Sequence, residues 1–128
     1  MTVPQEISRS KYVSLTTFRK DGTPVATPVW QVTHGDEIFV VTEAASWKVK
    51  RVRNNGSVRV TPCNVRGVSP AGAVTVPGTA RVIDDAEGIS RVRALVAEKY
   101  VTSRLGNGLA RLLRIKRPPM VGIAVAFT

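Results

Sequence analysis

The chain has 128 residues, of which 43% are hydrophobic and 22% are charged, and its formal net charge is +10. These values are typical of one globular domain with an ordinary hydrophobic core, and they exclude a disordered chain. No apolar run approaches the ~18 residues that a membrane helix needs, and the N-terminus lacks the apolar stretch of a signal peptide. We therefore expect a single cytoplasmic domain over residues 1–128, with an N-terminal arm at 1–10.

Cysteine and histidine each occur once, as Cys63 and His34. These counts exclude an internal disulfide and argue against a zinc site or a Cys–His nucleophile pair. We expect Cys63 to be a small buried side chain on a strand. His34 is followed by Gly-Asp, so we expect it in a surface turn.

The positive charge is unevenly placed. No Asp or Glu lies between residues 44 and 83, and none follows Glu98. The cations of these two regions are Lys48, Lys50, Arg51, Arg53, Arg59, Arg66 and Arg81, and then Lys99, Arg104, Arg111, Arg114, Lys116 and Arg117. Such asymmetry indicates an anionic partner, which composition leaves open among nucleic acid, a phosphorylated or polycarboxylate cofactor, and acidic lipid.

Three strands are predicted in the first third of the chain. Residues 11–18 are rich in β-branched and aromatic side chains that alternate between two faces. Asp-Gly and Gly-Asp pairs then mark two turns, which place a second strand near 23–32 and a third at 37–42. Proline inside a strand indicates an edge, a bulge or a stop in pairing, and at Pro28 we expect a local break in the ladder.

A short helix is predicted from Ser46, which stands where it can cap the helix start, to the Asn-Asn-Gly stop signal at 54–56. Three residues form its apolar stripe: Ala45, Val49 and Val52. Lys48 and Arg51 share a different face. The N–H groups of a helix start together with nearby cations suit a bound anion, most often a phosphate, whereas the alternative is an ordinary solvated basic face.

The remainder of the chain is predicted to hold three strands and two helical segments. The strands lie at 57–63, 73–83 and 120–127, and the helical segments at 84–100 and 105–116. Asp84 with Glu87 three positions on is typical of a helix start. The second helical segment is very basic and is weakened by two glycines. Since the last strand is nearly all apolar, we expect it at the centre of the sheet or at an interface.

These elements predict a mainly β fold. Six mostly antiparallel strands, with helices only after the third and the fifth, indicate a six-stranded antiparallel split β-barrel with two or three short peripheral helices. A barrel of this size is filled by its own side chains. A ligand therefore requires a groove at a break in the barrel or between subunits.

Seven short stretches, taken in order, resemble a known family. They are Tyr12-Val13-Ser14-Leu15-Thr16-Thr17, Asp21-Gly22-Thr23-Pro24, Thr27-Pro28-Val29-Trp30, Ser46-x-Lys48-x-Lys50-Arg51-x-Arg53-Asn54, Val58-x-Val60-x-Pro62-Cys63, Gly78-x-Ala80-Arg81-Val82 and Glu98-Lys99-Tyr100. Their joint order and spacing is similar to that of the pyridoxamine-phosphate-oxidase-like split β-barrel flavoproteins. Within that family, the chain most resembles the small actinobacterial oxidoreductases that use the deazaflavin coenzyme F-420.

The resemblance implies a homodimer with two cofactor grooves, each lined by both subunits. It implies that Ser46, Lys48 and Arg51, together with Lys50, meet the cofactor phosphate. The same resemblance places the ring of the cofactor beside Pro28, Val29 and Trp30, with Thr42 nearby. Coenzyme F-420 also carries an oligoglutamate tail, for which the acid-free regions are suited.

Two residues depart from the family pattern. Trp47 stands where small residues are common, and it either stacks on a cofactor or packs under a loop, of which packing is the expectation. Gln31 stands where an aromatic residue is frequent. The basic segment 104–117 matches no motif of the family, and we expect a solvated helix there.

The leading hypothesis is an F-420-dependent oxidoreductase that transfers a hydride between reduced F-420 and a small organic acceptor. No acid–base or nucleophile constellation is visible, so we name no catalytic residue and no metal ligand. The alternatives are an FMN-binding oxidoreductase of the same fold, a cofactor carrier without turnover, and a basic nucleic-acid-binding module. The chain lacks the motifs and the aromatic content typical of the last class.

Overall fold

The computed structural model describes residues 3–101 and 120–127. Within these ranges lie seven strands and three helices. The strands are β1 (Tyr12–Phe18), β2 (Pro24–Trp30), β3 (Val32–His34), β4 (Glu37–Glu43), β5 (Ser57–Cys63), β6 (Val76–Ile83) and β7 (Met120–Phe127), and the helices are α1 (Gln5–Ser8), α2 (Trp47–Asn54) and α3 (Ala86–Val101). The predicted helical segment at 105–116 lies outside the described residues.

All seven strands belong to one curled antiparallel sheet in the order β2-β1-β5-β6-β7-β4-β3. The predicted split β-barrel with peripheral helices is therefore confirmed. The apolar strand β7 lies between β6 and β4, as expected for a central strand. Gly22 and Gly35 form the two predicted turns with φ angles of 89° and 62°, which only glycine adopts without strain.

The strand count is seven instead of six because the predicted strand at 23–32 is two elements. β2 runs without interruption through Pro28, which lies opposite Ser14, so the predicted break at this proline is wrong. Proline is tolerated there because β2 is an edge strand, and one side of its backbone pairs with no strand of the described residues.

The interruption comes at Gln31, between β2 and β3. Its side chain is fully buried, and its amide nitrogen donates to the carbonyl oxygens of Ile7 at 2.9 Å and Ser10 at 2.6 Å. Its amide oxygen accepts a 2.9 Å hydrogen bond from the Thr33 hydroxyl. An aromatic ring cannot make these bonds, so the unusual residue at position 31 has a structural role: it fastens the N-terminal segment to the strand switch.

The main core lies inside the curled sheet. Alternate residues of each strand point inward, as the period of two dictates. The fully buried side chains of this core include Val13, Leu15, Ile38, Val58, Val60, Ile123 and Val125. Cys63 is buried, as predicted. His34 is exposed, as predicted, but it is the last residue of β3 and immediately precedes the turn.

A second, smaller core lies on the outer face of the sheet, where α3 packs against β3, β4 and β7. Val92 and Val96, four positions apart on one face of the helix, are buried at this contact. Asp85, one residue after the predicted cap, accepts a 2.8 Å hydrogen bond from the backbone N–H of Gly88 and so caps the helix start. No helix of the described residues is long and apolar enough to cross a membrane.

Candidate functional site

Helix α2 joins β4 to β5 and, with its cap residue, positions the four residues predicted to meet a phosphate. Val49 and Val52 are buried against the main core and fix the orientation of the helix. Ala45 precedes the helix and is exposed, so it does not belong to the predicted apolar stripe. The opposite side of α2, which carries its cations, is therefore turned away from the core.

Ser46 occupies the cap position of α2, as predicted, with extended backbone angles of φ −67° and ψ 153°. Its hydroxyl makes no capping hydrogen bond to the helix. The oxygen atom is nonetheless buried and has no hydrogen-bond partner among the described residues. A buried hydroxyl without a hydrogen-bond partner is costly. The Ser46 hydroxyl is therefore suited to form a hydrogen bond with a bound ligand.

A cleft of about 390 Å³ lies between α2 and the end of β1. Its lining comes from the last residue of β1, the turn that follows, and one face of α2. The lining residues are Phe18, Arg19, Lys20, Trp47, Lys50, Arg51 and Asn54. Four of the seven are cationic and two are aromatic, which is a donor set suited to a ligand with both an anionic and an apolar part.

Arg51 is the cation most firmly held in this cleft. Its Nε donates a 2.6 Å hydrogen bond to the Thr17 hydroxyl, whose side chain is fully buried on β1. Partial burial keeps the pKa of the Arg51 guanidinium below its usual range, and the neighbouring charge of Arg19 adds to this. The guanidinium stays charged because its intrinsic pKa is so high.

The aromatic side chains of the cleft lie beside cations. The Lys50 ammonium lies 4.4 Å from the centre of the Trp47 ring, and the Arg59 guanidinium 5.3 Å from that of Phe18. Trp47 is 71% exposed. The expectation that it packs under a loop is therefore wrong, and its ring forms an open wall of the cleft.

None of the cleft cations forms a salt bridge within the described chain, although hydrogen bonds from Thr23 and, to a lesser extent, the charge of Arg19 lower the pKa of the nearby Asp21 carboxyl. The three salt bridges of the described residues join Arg53 to Asp84, Arg81 to Glu37 and Arg91 to Glu87, all outside the cleft lining. The cleft therefore concentrates positive charge at one place, which is the electrostatic signature of an anion site.

Lys48 lies on α2 outside this lining. Burial lowers the pKa of its ammonium, the charge of Arg51 lowers it further, and Glu43 partly offsets both. Lys48 is thus close enough to Arg51 to strengthen the field at the cleft. Of the four predicted phosphate-site residues, Lys50 and Arg51 line the cleft, while Ser46 and Lys48 lie at the start of the same helix.

The residues predicted to border a cofactor ring lie elsewhere in the chain. Trp30 is opposite Tyr12 at one end of the β1–β2 pair, whereas the cleft is at the other end, where Phe18 meets Pro24. Six residues of strand separate the two ends, which is about 20 Å. Thr42 is buried on β4 and, like Pro28, Val29 and Trp30, is not part of the cleft lining.

Sequence reasoning missed the contribution of β1 and its turn. Arg19 and Lys20 form a basic pair directly after the strand, and this pair was the available signal. The contact between Thr17 and Arg51 has no such signal, because the two residues are 34 positions apart.

The described residues offer little for chemistry by the protein alone. They contain no group of three or more His, Cys, Asp or Glu side chains that could hold a metal ion. Burial raises the pKa of the Cys63 thiol, which makes it a weaker nucleophile at neutral pH.

Known proteins resemble the chain in fold. A conserved hypothetical protein from Mycobacterium tuberculosis is 22% identical with a TM-score of 0.70, covering 94% of this chain and 75% of that one. An F-420 reductase is 20% identical with a TM-score of 0.65, covering 98% and 96% of the two chains. The heme storage protein HutZ from Vibrio cholerae is 16% identical with a TM-score of 0.71, covering 100% and 92%.

At these identities the likeness concerns the fold alone, and no curated protein matches the chain significantly. The family model described as Pyridoxamine 5'-phosphate oxidase matches residues 2–120, which is nearly the whole sequence. The chain belongs to the pyridoxamine 5'-phosphate oxidase-like family of split β-barrel proteins.

Proposed function

We propose that the chain is an oxidoreductase that binds coenzyme F-420 and transfers a hydride between the reduced coenzyme and a small organic acceptor. The observation that carries the proposal is the cleft of α2, where four cations without salt-bridge partners in the described chain surround two aromatic rings. An F-420 reductase among the proteins of similar fold supports the choice of cofactor.

The residues present fit the phosphorylated part of such a cofactor. Arg51 and Lys50 would hold the phosphate, since both line the cleft and both are cationic donors. The Ser46 hydroxyl, buried without a partner in the described chain, supplies a further donor, and Lys48 adds charge nearby. Arg19 and Lys20 extend the positive surface, which suits the additional carboxylates of an oligoglutamate tail.

Along the β1–β2 pair, the segment from Pro28 to Trp30 lies about 13–20 Å from the cleft end in one chain. We therefore propose that Pro28, Val29, Trp30 and Thr42 act together with the α2 cleft in a homodimer, with both subunits contributing to each groove. The edge strand β2, which carries three of these residues, has one side of its backbone unpaired by any described strand.

The chemistry itself belongs to the cofactor, which supplies a hydride to the acceptor. The protein's own residues bind and orient it. Arg51 and Lys50 would fix the anionic end, and the exposed ring of Trp47 offers an apolar surface beside it. No side chain of the described cleft is assigned a proton transfer, because its lining contains neither a carboxylate nor a histidine.

FMN also carries a phosphate and a three-ring system, so a direct comparison tests the proposal. Purified protein is titrated with F-420, FMN and riboflavin, which lacks the phosphate, and binding is followed by fluorescence quenching. We expect saturable binding of F-420, weaker binding of FMN, and at least tenfold weaker binding of riboflavin than of FMN.

Oxidation of reduced F-420 in the presence of candidate acceptors then separates an enzyme from a carrier. Tight FMN binding without F-420 binding would move the assignment to FMN. Binding of neither cofactor, with salt-dependent binding of duplex DNA, would replace the proposal by a nucleic-acid module.

A further inference from the structure

Thr17 is a polar residue in an apolar row. It lies on the inward face of β1, following Val13 and Leu15, and all three side chains are fully buried. A hydroxyl at such a position is costly unless it is hydrogen-bonded, and valine would fill the same volume. The residue therefore needs an explanation other than packing.

That explanation is its partner. The Thr17 oxygen accepts the 2.6 Å hydrogen bond from Arg51 Nε, across 34 positions of sequence. Thr17 pairs with Val25 of β2, one residue beyond the end of the β1–β5 pairing at Thr16, and its branched side chain has few rotamers. Arg51 stands on α2, which is anchored by the buried Val49. Both ends of the contact are thus rigid.

The geometry of the guanidinium determines which of its nitrogens remain available to a ligand. Its donors are arranged as a planar fork, and Thr17 occupies the Nε position only. Arg51 lines the cleft, and no hydrogen bond within the described chain engages its two terminal nitrogens. Because Thr17 is a neutral acceptor, it orients the fork without cancelling its charge, whereas a carboxylate would neutralise it.

We infer that Thr17 is a positioning residue, which holds the Arg51 guanidinium so that its terminal nitrogens meet the phosphate group of the ligand in the cleft. The inference rests on the proposed function for the identity of that ligand. It adds that the strand, through one hydroxyl, determines how well the site distinguishes phosphorylated from phosphate-free molecules.

Four variants test the inference. Thr17→Val removes the hydroxyl at constant volume, Thr17→Ala is a second deletion should valine disturb folding, and Thr17→Ser retains the hydroxyl. Arg51→Gln removes the partner and is combined with Thr17→Val in a double-mutant cycle. Thermal unfolding monitors the fold of each variant.

Two measurements are made on every variant. The first is the NMR signal of the Arg51 Nε–H group, whose shift and hydrogen exchange report the contact directly. The second is affinity for F-420, FMN and inorganic pyrophosphate. We expect Thr17→Val and Thr17→Ala to lose the protected Nε–H signal. We also expect both variants to bind about tenfold more weakly each phosphorylated ligand that the wild type binds. Thr17→Ser should retain both the protected signal and the wild-type affinity. In the Arg51→Gln background, Thr17→Val should cause no further loss of affinity.

Unchanged affinity in Thr17→Val, or an equal loss in the Arg51→Gln background, would overturn the positioning role. The fate of the proposed function is decided separately. If the wild type binds neither F-420 nor FMN, that function is wrong, while the pyrophosphate titration and the NMR signal still decide the role of Thr17. A wild type that binds none of the three ligands contradicts both.

Discussion

At the scale of single residues, the start of α2 holds like charges close together. Burial lowers the pKa of Lys48, the charge of Arg51 lowers it further, and Glu43 offsets part of this. Between the lowered pKa of the folded state and the ordinary lysine value of 10.5, the folded state therefore binds fewer protons than the unfolded chain. The free energy of unfolding therefore rises with pH between these two pKa values, and below them it is lower by the full cost of the shift. A site that binds an anion well is thus expected to be less stable without one.

The change Lys48→Met tests this expectation. It removes the half-buried charge at nearly constant helix propensity, so we expect Tm to rise by about 2 °C at pH 7. The gain should shrink as the pH approaches 10.5, where the wild-type ammonium loses its proton. Lys50→Met, which removes an exposed charge from the same helix, is the control and should leave Tm nearly unchanged. Calorimetry that finds the same gain at both pH values would contradict the account.

At the level of single residues, the sequence predicts those features that depend only on neighbouring positions in the chain. The cations of the cleft on α2 follow from a basic run after the serine at the cap position, and the burial of Cys63 follows from its strand. The contact of Thr17 with Arg51 and the bonds of Gln31 to the N-terminal segment join distant parts of the chain. Such contacts require the register of the folded sheet, which no local pattern specifies.

At the scale of elements, the strands and turns follow from their patterns because alternation and Asp-Gly turns act locally. The exception is the region of β2 and β3. Pro28 is a sound indicator of an edge strand, but the ladder breaks at Gln31, where tertiary hydrogen bonds to the first ten residues decide the course of the backbone. For the same reason, Trp47 could not be placed from sequence: its exposure depends on where β1 ends relative to α2.

Helix α2 couples the core to the cleft, and Val49 is the residue that anchors it. We expect Val49→Ala to lower the free energy of unfolding by about 2 kcal/mol, because it removes two buried methyl groups and leaves a cavity. Urea unfolding measures this. Val65→Ala, at a site that is 61% exposed, is the matched control and should change stability by less than about 0.5 kcal/mol. Equal effects of the two changes would show that α2 is not held by this contact.

At the scale of the whole molecule, the antiparallel barrel and its central last strand follow from the order of patterns along the chain. The cleft does not follow from that order, because it forms where the end of β1 meets α2, some 30 positions later in the chain. Family membership does not fix the activity either, because an F-420 reductase and a heme storage protein have similar folds. On the proposed function, activity depends on the cleft where cations without salt bridges in the described chain collect.

The most direct test of the central claim is the affinity of Arg51→Gln for F-420, measured beside Arg53→Gln. Both changes remove one charge from α2, but only Arg51 lines the cleft, whereas Arg53 forms an exposed salt bridge with Asp84. Loss of a charged contact to phosphate is worth about 1.5–3 kcal/mol, so we expect Arg51→Gln to bind at least tenfold more weakly and Arg53→Gln to bind nearly as the wild type does. Equal affinities of the two variants would contradict the assignment of this cleft as the cofactor site.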